Sequence, residues 1–584
     1  MASTSTLSNI VVPDGFRIHT ENSSHIMLSK EEAFLNPVQE FNRDLSIACI
    51  RVWSEELSKA KEEKWKKAQT KKQGTTSKSN GESVAMGQTD VEMPFSTLKV
   101  PKERTSVVHL ADTEKQRIST TKVPEYRPYK FVLLEALSAT GLRAIRYAKE
   151  IPLAKYIIAN DLSPVAVGVM KRNVELNGLG GEESSVSTVA DAGASLRAVK
   201  KPKVIVNEGD ACSLMYNHRE EKNRVDVVDL DPYGTAGPFI DAAVQCVNDG
   251  GLLCVTCTDL AVLATTNFPE KCYSNYGGVP VKTEYSHEVA LRLLLHTLST
   301  SASRYGRYIE PMLSLSIDFY IRIFVKVHTQ PIEVKKALSK NSTFYVCTNC
   351  QSHYEQPLGR MVSKAHEASG NINILFKTQA AVLSSDKCPE CDSHLHIAGP
   401  MWSAPLHDPV FVEKVVHHVE ESKELYGTAA RMKGMLTLAK EELPSPFYFT
   451  PSRVASFFHC QCPSLDDVCS ALLNAGYQVS RSHACAGSLK TTASRAELHD
   501  LFRSWIKLHP VKIEKISETS PAVRLLAKEN AFDADFTRHP RTLGALEMKL
   551  VRYQENPSAN WGPGRKASKR KRSTEVLDEP PAKH

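Results

Sequence analysis

No apolar run in these 584 residues reaches the roughly 18 that a membrane-spanning helix needs, so no such span is expected. The first thirty residues lack a basic start followed by an apolar core, so no secretory signal is expected. Ser3 to Ser8 is rich in hydroxyls, but arginine is too sparse there to make a strong mitochondrial presequence. Charge of one sign is also in short supply. A formal net charge of +7 permits a nucleic-acid partner without demanding one. Fourteen cysteines without a secretion signal point to thiols or metal ligands rather than disulfides. The 41% apolar and 24% charged content is ordinary for a soluble protein, and this length calls for two or three domains rather than one core.

The positive charge is unevenly placed. Lys59 to Lys78 carries eight Lys against two Glu and runs into a Gly/Ser/Thr/Gln-rich stretch ending near Asp90. With so little apolar surface to offset ordering entropy, a largely disordered insertion is expected over 57–125. The end of the chain holds GRKASKRKR, Gly564 to Arg572, followed by an acidic, Pro-rich stretch. A basic cluster in a flexible tail suits nuclear import or RNA contact, or is merely solvated.

From Phe131 the pattern alternates between short apolar runs and helical spacing. Strands are expected at Phe131–Leu134, Lys155–Ala159, Lys203–Val206, Val225–Leu230 and Gly251–Thr256, with a longer β-rich stretch over Leu313–Val327. Helices are expected over Leu142–Ile151 and Pro164–Leu176. Such alternation argues for a parallel, doubly wound sheet with its ligand at the strands' carboxyl ends. Acidic residues fall at those ends: Glu135, Asp161, Asp210 and Asp231. Any one of them could be an ordinary helix cap. Asp161 lies 20 residues beyond Gly141, where such folds place a carboxylate for ribose hydroxyls. The first loop, Ser138-Ala139-Thr140-Gly141, has one glycine and is not the GxGxxG that a pyrophosphate requires. S-adenosylmethionine carries no phosphate, and small residues suffice for its approach.

The fourth of these strands ends in Asp231-Pro232-Tyr233-Gly234. Alone, DPYG reads as a type I turn. At this strand end it faces the first loop across the cleft, where a methyl acceptor would lie. An exocyclic amine on a nucleobase is a poor nucleophile because its lone pair is delocalised into the ring, so a site must orient it. The Asp231 carboxylate and the Pro232 carbonyl can each accept an N–H, Tyr233 can stack on the base, and Gly234 leaves room. A base inside a helix cannot reach such a pocket, so it must flip out or already lie at a junction.

Together, LEALSATGLRAIRYAKE, ANDLSP, EGDAC and DLDPYGTAGPFIDAA resemble the tRNA (guanine-26) N2-dimethyltransferase family, over roughly Phe16 to Asn560 minus the insertion. The resemblance implies a class I, Rossmann-like methyltransferase fold and two methyl transfers from S-adenosylmethionine to guanine N2 at the junction of the D and anticodon stems of tRNA. It implies that Asp231, Pro232, Tyr233 and Gly234 form the catalytic motif, and that Glu135, Arg143, Asp161, Asp210 and Ala211 line the cofactor. AFLNPVQEFNRDLS is similar to the family's N-terminal signature, which would set Arg43 against the methionine carboxylate. Leu35 departs from the aromatic residue expected there. Asn36, Pro37 and Gln39 would start a helix whatever its function.

Beyond Val327 the motifs change. Cys347 and Cys350, then Cys388 and Cys391, form two CxxC knuckles separated by 37 residues that must loop out. This spacing suits one four-thiolate zinc ion, closed to substrate and therefore structural, with His394 and His396 as weaker substitutes. Cys460, Cys462, Cys469 and Cys485 form no knuckles and read as core or surface thiols. Tyr448–Leu508 suggests a small α/β unit, whereas Gly399–Pro409 (GPMWSAPLHDP) has no derivable role. The expected organisation is a methyltransferase domain over 1–330, a C-terminal α/β tRNA-binding domain over 331–555 with zinc knuckles at 347–391, and a basic tail over 556–584. A monomer without an obligate protein partner or membrane contact is expected, in the nucleus, with mitochondrion and cytoplasm open. Two rival readings are an adenine N6 or cytosine N4 methyltransferase, which usually carries a second proline where Tyr233 stands, and a non-catalytic zinc-containing RNA-binding or chaperone protein.

Overall fold

Val225–Leu230 (VDVVDL) is buried at every position, as a central strand of a parallel sheet must be. It is β6 of a computed structural model that describes residues 12–29, 35–76, 125–181, 201–365, 370, 372–382, 385–542 and 550–553. Before it come β1 (Phe16–Glu21), β2 (Ser24–Ser29), α1 (Glu40–Thr76), β3 (Phe131–Glu135), α2 (Leu142–Glu150), β4 (Ala154–Asp161), α3 (Pro164–Leu176), β5 (Val204–Glu208) and α4 (Ala211–Asn217). After it come α5 (Gly237–Cys246), β7 (Val247–Cys257), α6 (Leu260–Leu263), α7 (Pro269–Tyr276), α8 (Ser286–Ser303), β8 (Arg307–Ile317) and β9 (Tyr320–Thr329).

The seven-stranded sheet runs β5-β4-β3-β6-β7-β9-β8. β3 to β7 are parallel, whereas β9 runs antiparallel to both β7 and β8. The β-rich stretch expected over 313–327 is therefore a hairpin, turning at Asp318, whose φ is +45°. The strand order reverses between β3 and β6, and a crevice at their carboxyl ends is where such sheets bind ligands.

The remaining strands and α-helices are α9 (Pro331–Lys336), β10 (Asn341–Cys347), β11 (His353–Pro357), β12 (Gly359–Ala365), β13 (Ile372–Thr378), β14 (Leu395–Trp402), α10 (Pro409–Glu421), α11 (Ala429–Glu441), α12 (Pro451–Phe458), α13 (Leu465–Asn474), β15 (Val479–Arg481), β16 (Leu489–Thr491), α14 (Arg495–Leu508) and α15 (Pro521–Ala527). β11-β10-β14 form one small sheet, β12-β13 a free ribbon, and β15-β16 a third pair among helices. This half packs on the first: one core holds Leu253 and Val325 of the large sheet, Leu291 and Leu294 of α8, and Phe344, Ala398 and Trp402 of the small sheet. The GPMWSAPLHDP stretch acquires a role here. Gly399 pairs with Val279, the Trp402 carbonyl accepts from Arg292 at 2.9 Å, and Asp408 caps α10.

Residues 12–54 and 130–553, where described, belong to one compact unit, and Glu55–Tyr129 to a second. The boundary expected at 330/331 is therefore not a spatial separation. The disorder expected from residue 57 also needs correction, because α1 continues through Thr76. Lys, Glu, Ala and Gln are good helix formers, and Glu62 pairs with Lys66 at 2.7 Å one turn on. Within this second unit Trp65 packs against Tyr126 and Lys61 lies over the Tyr129 ring. Residues 77–124 and the basic tail lie outside the described residues.

Candidate active site and cysteine cluster

The loop after β3 turns through two left-handed residues, Ala139 (φ +45°) and Gly141 (φ +76°). Gly141 is required twice over, since a Cβ there would also stand 2.7 Å from Met170 Cγ on α3. The turn aims the Ala139 amide at Asp161 Oδ2 (2.9 Å), and the Ser163 amide donates to Oδ1 (2.9 Å). The carboxylate at the end of β4 is thereby oriented by two backbone donors, with lone pairs left for a ligand.

Below the loop, buried charges form a continuous network. Asp229 of β6 accepts from Tyr147 at 2.6 Å and from Arg322 of β9 at 2.8 Å. Burial opposes its charge, but Arg322 and Arg143 hold the carboxyl below the usual range. Arg143, itself buried, touches Ser46 of α1 (3.2 Å), Glu135 (3.8 Å) and Asp229 (3.7 Å), and donates to Asp231 Oδ2. Burial pushes the Glu135 carboxyl up to about 8, and the neighbouring Asp229 and Asp231 carboxylates add to the rise against the pull of Arg143. Asp231 Oδ1 is buried without a partner.

A cavity of about 410 Å³ opens at the β3/β6 crevice, within the size range of small-ligand pockets. Its walls include Arg43, Glu135, Arg143, Asp161, Asp231, Pro232 and Tyr233, along with Leu35 and the Ser138–Thr140 loop. Seven of the ten residues singled out at this site thus line one space. Asp210 and Ala211 do not line it. Asp210 caps α4 by accepting from the Ser213 amide at 2.7 Å, one strand beyond Asp161. Gly234 also lies outside the wall, with φ +92°. Pro232 is buried, whereas Tyr233 is 76% exposed, free to cover a ligand.

DPYG is not closed as a turn. The Gly234 amide donates to Thr258 Oγ1 (2.7 Å), and the Thr258 amide donates back to the Gly234 carbonyl (2.9 Å). Thr235 adds a 2.7 Å contact to Tyr276. The segment is thus clasped to the residue after β7, a partner that local turn chemistry could not reveal.

The helix start expected at Asn36 is present: Asn36 Oδ1 accepts from the Val38 amide at 3.1 Å, and a 3₁₀ turn leads into α1. Arg43 lies in the cavity wall, but its guanidinium forks onto Glu21 at the end of β1 (2.8 and 2.5 Å). Glu21 also binds Arg146 (3.0 Å), which reaches Asp44 (2.7 Å) and Glu150 (2.9 Å). Arg143 and Arg146 are thus buried structural cations, not solvated helix residues. Glu21, Asp229, Thr258 and Arg322 were not singled out from the sequence. The one available signal was that β6 carries two acids, Asp226 and Asp229, among four apolar residues, and it did not tell which of them serves the site.

The four cysteines converge. Cys347 lies 3.4 Å from Cys391 and Cys350 lies 3.6 Å from Cys388 (Sγ to Sγ), and the four thiols lie within 4.8 Å of one another. The chain between the knuckles loops out as the β12-β13 ribbon after pairing β11 with β10. Four buried sulfurs from two knuckles form a donor set that fits a tetrahedral zinc ion. His394 pairs instead with Asp386 at 3.2 Å. Among the remaining thiols, Cys469 is buried, Cys460 and Cys485 half-buried and Cys462 exposed. His407, Glu442 and His483 also cluster within 4.8 Å. There the Ser316 amide donates to His483 Nε2 (3.1 Å), so His483 Nδ1 carries a proton towards Glu442 (2.5 Å). Lys490 lies on Glu442 as well (3.0 Å). That cluster is a carboxylate clamp rather than a metal donor set.

The sheet order, the crevice and its ring of strand-end acids define a class I methyltransferase fold. The family model described as N2,N2-dimethylguanosine tRNA methyltransferase matches residues 15–503, and the chain belongs to that family. A Schizosaccharomyces pombe protein named tRNA (guanine(26)-N(2))-dimethyltransferase is 42% identical over 558 residues, 94% of this chain and 92% of that protein. A mouse protein of the same name is 41% identical over 93% of this chain and 76% of its own length. A Saccharomyces cerevisiae relative, named as the mitochondrial enzyme, is 39% identical over 94% and 92%. Among solved structures, the complex of Trm1 from Pyrococcus horikoshii with S-adenosyl-L-methionine matches with a TM-score of 0.56, covering 82% of this chain and 97% of that one, at 23% identity. At that identity the likeness speaks for the fold.

Proposed function

We propose that this protein transfers two methyl groups in succession from S-adenosylmethionine to the exocyclic N2 of guanine 26 in tRNA, at the junction of the D and anticodon stems. Family membership supports the reaction. The observation that carries the assignment of residues is the shared cavity, in which Asp231 and Pro232 lie opposite Asp161 and the Ser138–Thr140 loop, with Asp231 Oδ1 buried and unpartnered.

When bound, S-adenosylmethionine supplies a methyl activated by its sulfonium. Asp161 holds ribose hydroxyls, and Asp210 and Ala211 extend that wall beyond the cavity. Arg43, its guanidinium steadied by Glu21, and Arg143, held by Asp231, line the wall that the methionine carboxylate would face. Arg143 occupies one oxygen of Asp231, leaving Oδ1 to accept an N–H of the guanine amine while the Pro232 carbonyl accepts the other. The nitrogen lone pair is then turned towards the methyl. Positioning of this kind supplies on the order of 7–11 kcal/mol in well-oriented reactions. Transfer makes the nitrogen cationic, and Asp231 is the anion beside it and the acceptor for its proton. After the first methyl one N–H remains, and a single acceptor still orients it. Tyr233 covers the base, and Gly234 gives it room.

Cys347, Cys350, Cys388 and Cys391 hold a structural zinc ion that orders the region gripping the tRNA body. The protein acts as a monomer. The basic tail directs it to the nucleus, and the mitochondrial name of one relative supports a second destination. Fluorescent fusions with and without residues 564–572 test the nuclear assignment. The catalytic reading is tested by incubating the protein with labelled S-adenosylmethionine and unmodified tRNA, followed by nucleoside analysis. N2-methylated and N2,N2-dimethylated guanine are expected. Absence of both with well-folded tRNA rejects the reading, and label on adenine or cytosine would favour the rivals.

A further inference from the structure

The ribbon between the cysteine knuckles has no place in the chemistry just described. β12 and β13 pair with each other and with no other described strand. Seven residues long on each side, the ribbon reaches roughly 23 Å at about 3.3 Å per residue. Its root is fixed. A Cβ on Gly359 would stand 2.5 Å from Leu338, and Gln356 binds both the Ala380 carbonyl (3.1 Å) and the Val382 amide (2.7 Å) across its base. Beyond the root nearly every side chain is exposed.

Its charge is predominantly positive. Residues 357–385 contain Arg360, Lys364 and Lys377 against a single acid, Glu367. All three cations are exposed, and among the described residues none is within salt-bridge distance of a carboxylate. The register places Arg360 opposite Lys377, with Val362 opposite Leu375 next on the same face and Lys364 opposite Asn373 beyond. Like charges directly across a ribbon are destabilising, so an isolated ribbon gains nothing from this pair. A partner that supplies negative charge relieves the repulsion. A second copy of this chain, with net charge +7, is a poor candidate.

We propose that the β12-β13 ribbon is an arm that docks on the tRNA body. Arg360, Lys364 and Lys377 contact phosphates of a stem away from the target base, and Val362 and Leu375 lie against the riboses between them. The wide, shallow minor groove of A-form RNA, with its exposed 2′-hydroxyls, admits such a ribbon without base readout. The arm rests on the tRNA-methyltransferase reading and adds where the substrate is held. The bound zinc would fix the base of the arm relative to the rest of the chain.

The test uses the full chain and the triple variant R360Q/K364Q/K377Q. The expected result is a rise in KM for tRNA of about tenfold or more, with the rate at saturating tRNA within twofold. The slope of log binding constant against log salt should fall by about 2 to 3, at roughly 0.7–0.9 per phosphate contact. Hydroxyl-radical footprinting should show a protected stem patch that the variant leaves open. An unchanged KM and salt slope, in a wild-type protein that does methylate tRNA, overturns the arm alone. A wild-type protein that neither binds nor methylates tRNA overturns the functional reading and the arm with it. A ribbon variant that dissociates a wild-type dimer while keeping its KM assigns the ribbon to self-association and also overturns the proposal.

Discussion

The cysteine cluster and the methyl-transfer cavity are both gatherings of distant residues, yet they are written into the chain differently. Each half of the cluster is a local unit, CTNC or CPEC, whose spacing already presents two thiols to one point. Tertiary structure has only to bring two such units together, which it does by pairing β10 with β14. The cavity has no comparable local unit. Its acids come singly from β3, β4 and β6, and they meet because the sheet order places those strand ends around one crevice. Its supports, Glu21, Arg322 and Thr258, are chosen by packing alone. A site built from local pairs tolerates surrounding change until one ligand is lost. A site built from single residues on separate strands depends on the whole sheet and on the buried charges beneath it.

The sharpest way to break this comparison is to strip the cluster. Chelation of the proposed zinc ion, with a structural contribution of roughly 10–16 kcal/mol, should unfold the region around β10 and β14. Limited proteolysis and circular dichroism should report that loss, and Cys388→Ser should reduce zinc measured by atomic absorption. If the four thiols hold no ion, chelators will leave the melting curve unchanged.

For the cavity, the largest structural effect is expected from Arg322→Met. It leaves Asp229 buried with its main countercharge removed, at a cost of about 3–5 kcal/mol in urea unfolding. Asp231→Ala acts on chemistry instead. The rate should fall by about 10²–10³ or more, as when a positioned polar group is deleted, while S-adenosylmethionine affinity by calorimetry stays within a few-fold. Near-normal turnover in that variant would remove Asp231 from its assigned role.

Smaller effects probe the supports. Thr258→Val deletes the side-chain acceptor of the Gly234 amide and should cost about 1 kcal/mol in stability. It should also lower kcat more than it raises the KM for S-adenosylmethionine, with Thr258→Ser restoring both. Glu135 gives a pH signature. Its folded carboxyl is raised to about 8, so between the ordinary carboxylate range and pH 8 the folded state binds the proton that the unfolded chain releases. Its contribution to stability therefore falls as pH rises through that window, by at most ~1.4 kcal/mol per pH unit, and levels off above pH 8. The unfolding free energy of the wild type minus that of Glu135→Gln should fall as pH rises across that window and be flat above it. A flat difference throughout would mean that Glu135 is ionised in the folded protein.

Much of the fold was legible because the physics behind it is local. β6 and α3 fall at their expected boundaries, Val225–Leu230 and Pro164–Leu176, since a short apolar run closed by Asp-Pro and a helix started by Ser-Pro and stopped by Asn-Gly carry their own signals. The helix through Thr76 was missed because its stability comes from propensity and charge pairs, and a lysine-rich composition hides both. DPYG looked like a turn in isolation, but its amide found a better acceptor in Thr258, 24 residues away.

The sequence by itself determined the strand-helix alternation, the acid at each strand end and the paired thiols, because backbone propensity, capping and ligand spacing act within a few residues. Only the tertiary structure decided that Arg143 takes one oxygen of Asp231 and leaves the other free, that Glu21 engages Arg43, and that Asp210 stands outside the cavity that Asp161 lines. Those outcomes depend on which charges are buried together. Burial is set by the packing of elements far apart in the chain, where an unpaired charge costs several kcal/mol and selects its partner from whatever the fold brings within reach.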